Sequence, residues 1–341
     1  MGLFLEGTFS VGLKIWKKDF DLKGNKMIKK HIEDSVVLKN LEKIEKDGMS
    51  VFVMADGLYR GALINGTELI NQMRVQQETG ILETLVLGQG LLSCALMITT
   101  LKEKGRISLS YETDGACKGF LVNGDSSGYV NGCLLDGGIP VEKPLENWDL
   151  APYFGNGIIK VTKSYVGTAE PLTGIVELKY KSIAENISWY YLQSEQVNTA
   201  FNTSIMFDKD GRVTGAGGLF LQEMPRTGGV LGGKYTEQEV GEIRLMAENA
   251  FRAAPSLGQW FSEGGNRDDI IYGLFREFAP SVVYERNIVF DCDCSNLYYK
   301  RILSRLPEGD LLELGKDDDP LEVKCNKCGS VYRIFKNEII K

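Results

Sequence analysis

Two thiol pairs near the C-terminus, Cys292-Asp293-Cys294-Ser295 and Cys325-Asn326-Lys327-Cys328-Gly329, constrain this chain more than any other stretch. Two close pairs can close one tetrahedral metal site, because each pair is brought together by its own local turn and zinc prefers four thiolates in structural sites. Gly329 suits the turn after a Cys-X-X-Cys loop. The spacing predicts one zinc per chain in the reduced state, held by Cys292, Cys294, Cys325 and Cys328. The first pair is the shorter Cys-X-Cys, within reach of a local disulfide, and four thiolates around a divalent ion leave a formal charge of about −2. Lys324, Lys327 and the N-terminus of a helix starting at Ser295 are expected to compensate that charge. On spacing alone two readings stand, a closed structural zinc and a redox-sensitive one.

Composition narrows the classes of function. With 341 residues, 43% hydrophobic and 25% charged, the chain can bury a substantial core and hold more than one domain. A formal charge of -7 argues against a general phosphate-binding surface, so nucleic acid is not an expected partner. Of the cysteines, Cys94, Cys117 and Cys133 lie outside the tail pattern and form no dense disulfide framework, so a reducing cytoplasm fits. They are expected as buried free thiols, Cys94 in a core helix and the other two on strands. The start of the chain lacks a secretory signal, since Lys14, Lys17 and Lys18 interrupt any apolar region, and Glu6 breaks a myristoylation signal after Gly2. The longest uncharged run, residues 84–101, contains Gly88, Gln89, Gly90, Ser93, Thr99 and Thr100 and reads as a buried helix; no membrane is expected. His31 is the sole histidine and reads as a surface residue, which disfavours histidine acid–base catalysis; no catalytic residue is expected.

Along the chain, residues 1–48 carry ten Lys against eight acidic residues and no Arg. Ile28, Ile32, Val37, Leu41 and Ile44 recur at helical spacing over 27–47, with Gly48 as the stop. Residues 51–60 read as a strand, 67–77 as an amphipathic helix and 82–102 as a long apolar helix. Alternation at Ile107, Leu109 and Tyr111, a turn at Asn123-Gly124-Asp125, and strands over 129–135 and 158–162 predict antiparallel hairpins. A strand over 174–180 leads into Ser182-Ile183-Ala184-Glu185, a capping box for a helix to about Ser194. Asp208-Lys209-Asp210-Gly211 has Arg212 and Val213 where a calcium loop needs Asp or Asn and then Gly, so it reads as a hairpin turn. Gly215-Ala216-Gly217-Gly218 opens a strand and takes no nucleotide. Gly228, Gly229, Gly232 and Gly233 mark a boundary. Beyond it, Val240, Ile243, Ala247, Ala250, Phe251 and Ala254 stripe one helix, and Ile270, Ile271, Leu274, Phe275 and Phe278 stripe another behind the cap Asn266. A strand over 282–290 then delivers the chain to Cys292.

Asn123-Gly124-Asp125, Gly155-Asn156-Gly157, Tyr191-Leu192-Gln193-Ser194-Glu195-Gln196, Ala216-Gly217-Gly218 with Gln222 and Pro225, and the four tail cysteines, in this order, resemble the bacterial heat-shock protein 33 family from Val51 onwards. The resemblance implies an α+β fold with a mostly antiparallel sheet domain and packed helices over 49–227, a helical linker over 228–280, and a small C-terminal zinc-binding redox-switch domain over 281–341. Residues 1–48 are an extension without counterpart, expected to be dispensable for the switch, and the family's usual beginning near Val51 leaves Met1 and Met49 both open as the natural start. The implied function is that of a redox-regulated, ATP-independent holdase, inactive when reduced and zinc-bound. It binds unfolding client proteins under oxidative stress and forms a homodimer when oxidised. Cys292, Cys294, Cys325 and Cys328 inherit both the zinc-ligand and the redox-active role, with Cys292 pairing Cys294 and Cys325 pairing Cys328. Asn326-Lys327 departs from the commoner aromatic-containing pair, which bears on tuning and not on ligation. The helices between residues 235 and 278, with the sheet face they shield, are the expected client surface. Two rivals remain. A zinc-ribbon nucleic-acid module meets ten basic against eleven acidic residues over 281–341. A thiol–disulfide exchange enzyme would carry Cys325 and Cys328 in a βαβ unit, not facing another thiol pair.

Overall fold

The structure, a computed structural model, describes residues 27–140, 149–168, 170–225, 235–314 and 319–339; most of the basic extension and the glycines of the 228–233 boundary lie outside them. The described chain forms two units, Lys30–Asp291 and a smaller one joining residues 27–29 to Cys292–Lys341.

The large unit opens with α1 (Ser35–Lys43), whose first amides, Val36 and Val37, donate to the Asp34 carboxylate. The helix expected over 27–47 is cut to its middle, because Asp34 starts it late and Ile44 leaves it in an extended conformation. Gly48 opens β1 (Gly48–Met54) and stops nothing. Where one strand was expected over 51–60, β1 and β2 (Tyr59–Asn65) form a hairpin, reversed by Ala55, Asp56 and Gly57 at φ of 50°, 55° and 88°. The sequence signals that reversal only by Asp56-Gly57, inside a stretch that otherwise reads as extended. α2 (Thr67–Gln77) has the expected bounds. α3 (Ile81–Met97), prolonged by a 3-10 turn, is apolar enough to cross a membrane but is buried almost throughout.

β3 (Gly105–Thr113), β4 (Gly119–Asp125), β5 (Tyr129–Leu134), β6 (Gly157–Tyr165) and β7 (Leu172–Glu177) pair antiparallel in the order β5-β4-β3-β6-β7. Asn123-Gly124-Asp125 is not a turn but the end of β4, and the chain reverses just after it, where the Asp125 carboxylate accepts the Ser127 amide at 2.7 Å. Gly124 is small for packing, since a Cβ there would stand 2.8 Å from Ile98 Cδ1. α4 (Ile183–Tyr190), capped by Ser182, continues as a π turn through Glu195. β8 (Thr199–Phe207) and β9 (Val213–Glu223) enclose the Asp208–Gly211 turn, where Asp208 Oδ1 accepts the amides of Asp210 and Arg212 as a hairpin turn requires.

Three helices follow where two were expected: α5 (Glu237–Arg252) behind a Thr236–Glu239 capping box, α6 (Leu257–Ser262) behind Ser256, and α7 (Arg267–Leu274) behind Asn266. The expected strand over 282–290 is two strands on two sheets. β10 (Ser281–Arg286) pairs with β1, and the short β11 (Val289–Phe290) pairs parallel with β5. The five-stranded sheet has the order β10-β1-β2-β9-β8, and α3 packs against strands of both sheets. Phe52, Leu63, Leu219 and Leu221 of the five-stranded sheet meet Phe261, Ile271 and Phe275 of the helical segment in one buried cluster. α6 lies on bare backbone there: a Cβ at Gly215 would stand 2.0 Å from the Gly258 carbonyl oxygen, and one at Gly217 would stand 2.5 Å from the Phe261 ring.

Candidate metal and redox centre

Cys292 and Cys294 precede α8 (Asn296–Leu303), whose cap is formed by Ser295 Oγ accepting the Tyr298 amide at 3.1 Å. α9 (Glu308–Glu313) follows. Cys325 and Cys328 occupy the turn between β12 (Leu321–Lys324) and β13 (Val331–Ile334), an antiparallel pair. The Cys325 amide donates to the Ser330 carbonyl at 2.8 Å and the Gly329 amide to the Cys325 carbonyl at 2.7 Å. Gly329 sits at φ 73°, a conformation that a residue without a side chain adopts at no steric cost.

The fold brings all four tail cysteines together. They are buried, and their sulfurs lie within 4.8 Å of one another. Cys292 and Cys325 are 4.0 Å apart and Cys294 and Cys328 3.4 Å. Ligand sulfurs about 2.3 Å from a tetrahedral zinc are roughly 3.8 Å apart, whereas a disulfide needs about 2.05 Å, so these are free thiols at ligand spacing. Hydrogen bonds from Cys292, then Cys294 and Cys328, hold the Cys325 thiol far below its usual range. The same cluster pushes Cys292 up, through Cys294 first and then Cys325. Four buried sulfurs at this spacing are a soft donor set, and a soft divalent ion fits it by displacing thiol protons.

Around the sulfurs stand residues that sequence reasoning missed. Tyr332 Oη donates to the Cys294 carbonyl at 3.1 Å and lies 3.1 Å from Cys294 Sγ. Cys328 Sγ donates to Ser330 Oγ at 3.2 Å, and the Tyr299 ring packs 5.3 Å from that of Tyr332. Burial pushes both phenols up, so they remain protonated donors. Their signal was the alternation of Val331-Tyr332-Arg333-Ile334, which puts Tyr332 and Ile334 on the buried face. Beneath the site the apolar core has, among the described residues, Leu303, Leu311, Leu321, Ile334 and Ile339 as its buried members. Of the expected charge partners, Lys324 is exposed, and Lys327 is half-buried with its charge acting on Tyr298.

The remaining thiols stand apart from this cluster. Cys94 is buried in α3, where burial pushes its thiol up. Cys133 is half-buried on β5. Cys117 is buried but lies in the loop before β4, not on a strand, fixed by its amide donating to the Tyr153 carbonyl at 2.9 Å. His31 is exposed.

The sequence profile described as Hsp33 protein matches residues 47–335. A 33 kDa chaperonin of Agathobacter rectalis is 30% identical over 289 residues, covering 84% of this chain and 95% of the relative. One from Geobacter sp. (strain M21) is 28% identical over 281 residues, covering 82% and 91%. The crystal structure of the 33 kDa chaperonin of Thermotoga maritima superposes with a TM-score of 0.73 at 27% identity, covering 86% of this chain and 96% of that one.

Proposed function

The chain belongs to the heat-shock protein 33 family of chaperones, and from that premise we propose that it is a redox-regulated, ATP-independent holdase kept inactive by zinc on Cys292, Cys294, Cys325 and Cys328. One observation carries the reading: four buried thiols within 4.8 Å of one another sit in a unit whose apolar core has, among the described residues, five buried side chains. Structural zinc contributes roughly 10–16 kcal/mol in small modules, while whole domains are stable by about 5–15 kcal/mol, so a unit this small does not outlast its metal. Zinc supplies the four-fold cross-link; the chain supplies the sulfurs, the Tyr332 and Ser330 hydroxyls and the turns that aim them.

Peroxide removes the cross-link. Each disulfide would form with loss of two electrons from its two sulfurs to one peroxide, which leaves as water, and sulfurs so paired would no longer hold a zinc ion. The family resemblance implies pairing within Cys292–Cys294 and within Cys325–Cys328, which would leave the two halves of the unit unlinked. Pairing across them, as in the 3.4 Å approach of Cys294 to Cys328, would hold the halves closed. Once the residues after Asp291 unfold, the two-residue β11 loses its ordered continuation, and fraying spreads through β10 to the helices α5 to α7. The apolar cluster of Phe52, Leu221, Phe261 and Phe275 then meets unfolding clients, and oxidised chains pair as a homodimer. A reducing cytoplasm keeps the resting form closed.

The deciding experiment follows zinc release and suppression of client aggregation together under peroxide. Zinc leaving without any gain in suppression would defeat the reading, as would equal suppression by the reduced, zinc-loaded chain.

A further inference from the structure

Residues 27–29 precede the part of the chain that the family profile covers, yet they group with Cys292–Lys341 and not with the residues that follow them. Met27 is only 5% exposed. The Ile28 carbonyl accepts a hydrogen bond from Ser330 Oγ at 3.1 Å. Ser330 is 2% exposed, and the same Oγ accepts from Cys328 Sγ at 3.2 Å. One residue past Lys29 the chain is fastened to other partners: the Lys30 amide donates to Gln76 Oε1 at 3.0 Å, and its carbonyl accepts from Gln72 Nε2 at 2.9 Å.

We propose that residues 27–29 are a strap on the second thiol pair, a docking surface of the metal-site unit filled by the chain's own N-terminal segment, which slows the opening of that site. The proposal rests on the zinc reading above. Ser330 Oγ donates to the Ile28 carbonyl and lies 3.2 Å from Cys328 Sγ, so the segment before Lys30 holds in place a side chain that touches the second thiol pair. Without the strap that buried hydroxyl loses its hydrogen bond to Ile28, and losing a buried hydrogen bond is costly. Displacing Cys328 from a metal therefore means disturbing Ser330, and disturbing Ser330 means breaking its bond to the segment before Lys30.

The test uses the full chain with Met27→Asp, Met27→Ala and Ser330→Ala, alone and combined, and reads zinc transfer from the reduced protein to a colorimetric chelator. Each variant is expected to load one zinc and to lose it about fivefold faster than the parent. The Met27→Ala, Ser330→Ala pair should lose zinc no faster than its faster member, because both substitutions act through the fastening of the same three-residue segment. If Met27→Asp fails to load zinc, Met27→Ala decides. Parental rates in the Met27 variants, or effects that multiply in the pair, overturn the strap. A parent chain that keeps its zinc under peroxide defeats the redox reading instead and leaves the chelator comparison standing.

Discussion

Tyr332 brings one hydroxyl against both the sulfur and the carbonyl oxygen of Cys294, so it steadies a ligand and the backbone carrying it. Tyr332→Phe keeps the ring on Tyr299 and deletes only that hydroxyl. Groups behind metal ligands typically contribute about 10–100-fold in affinity, so chelator competition should show a loss of at least about tenfold; an unchanged affinity would reduce Tyr332 to packing. Replacing a ligand is harsher. Cys292→Ser or Cys325→Ser opens the tetrahedron and should abolish stoichiometric zinc at chelator concentrations the parent tolerates, and full retention in both would sink the assignment of the site. The four sulfurs were legible because their spacing along the chain already implies closure. Tyr332 and Ser330 were not, because their part depends on which face of β13 meets α8 and on where the chain before Lys30 goes, and neither is local.

At the scale of elements, the seat of α6 on β9 is a close fit, with no room for a side chain at Gly215 or Gly217. Gly217→Ala would drive a methyl to 2.5 Å from the Phe261 ring, and overpacking of this kind costs about 1–3 kcal/mol. The expected result is faster hydrogen exchange over Leu257–Ser262 with zinc retained; exchange at the parental rate would show that the ring gives way without moving the helix. Phe275, fully buried and 5.5 Å from the Phe52 ring, tests the same cover from the other side. Phe275→Glu should give partial suppression of aggregation while the thiols are still reduced, because a charge cannot stay in that cluster. A variant that stays folded and keeps zinc, yet still needs oxidant, would place the controlling surface elsewhere. The stripes of α5 and α7 made them readable from sequence. α6 is six residues long, too short for a period to declare itself, and the division of residues 282–290 between two sheets is decided by partners far away in the chain.

For the whole molecule, the stretch before Met49 is fastened on both sides of Lys29. The Asp47 carboxylate accepts the Glu68 and Leu69 amides at 2.9 and 2.7 Å at the start of α2. Glu45 pairs with Arg267 of α7 at 3.1 Å, and Asn40 donates to the Thr214 carbonyl at 2.8 Å. Starting the chain at Met49 should therefore lower the unfolding free energy of the large unit by about 1–2 kcal/mol from the lost cap alone, measured by denaturant melting. An unchanged midpoint would mean that α2 finds another cap. Composition gave no hint of this division, because a lysine-rich amphipathic stretch looks the same whether it is anchored or free.

The bond between Ser330 and Ile28 spans 302 positions, and that separation sets an order of events at the ribosome. Ile28 emerges early, and Ser330 follows only after the whole of Lys30–Asp291 has been made, about 15–60 s later at ordinary elongation rates. Cys325 and Cys328 emerge in the same final moments, so a nascent chain has the whole of Lys30–Asp291 before its four tail cysteines can come together. On the proposed holdase reading, every molecule would thus be born in something close to its open form, and the cell's supply of zinc at the end of synthesis would decide how long it stays there.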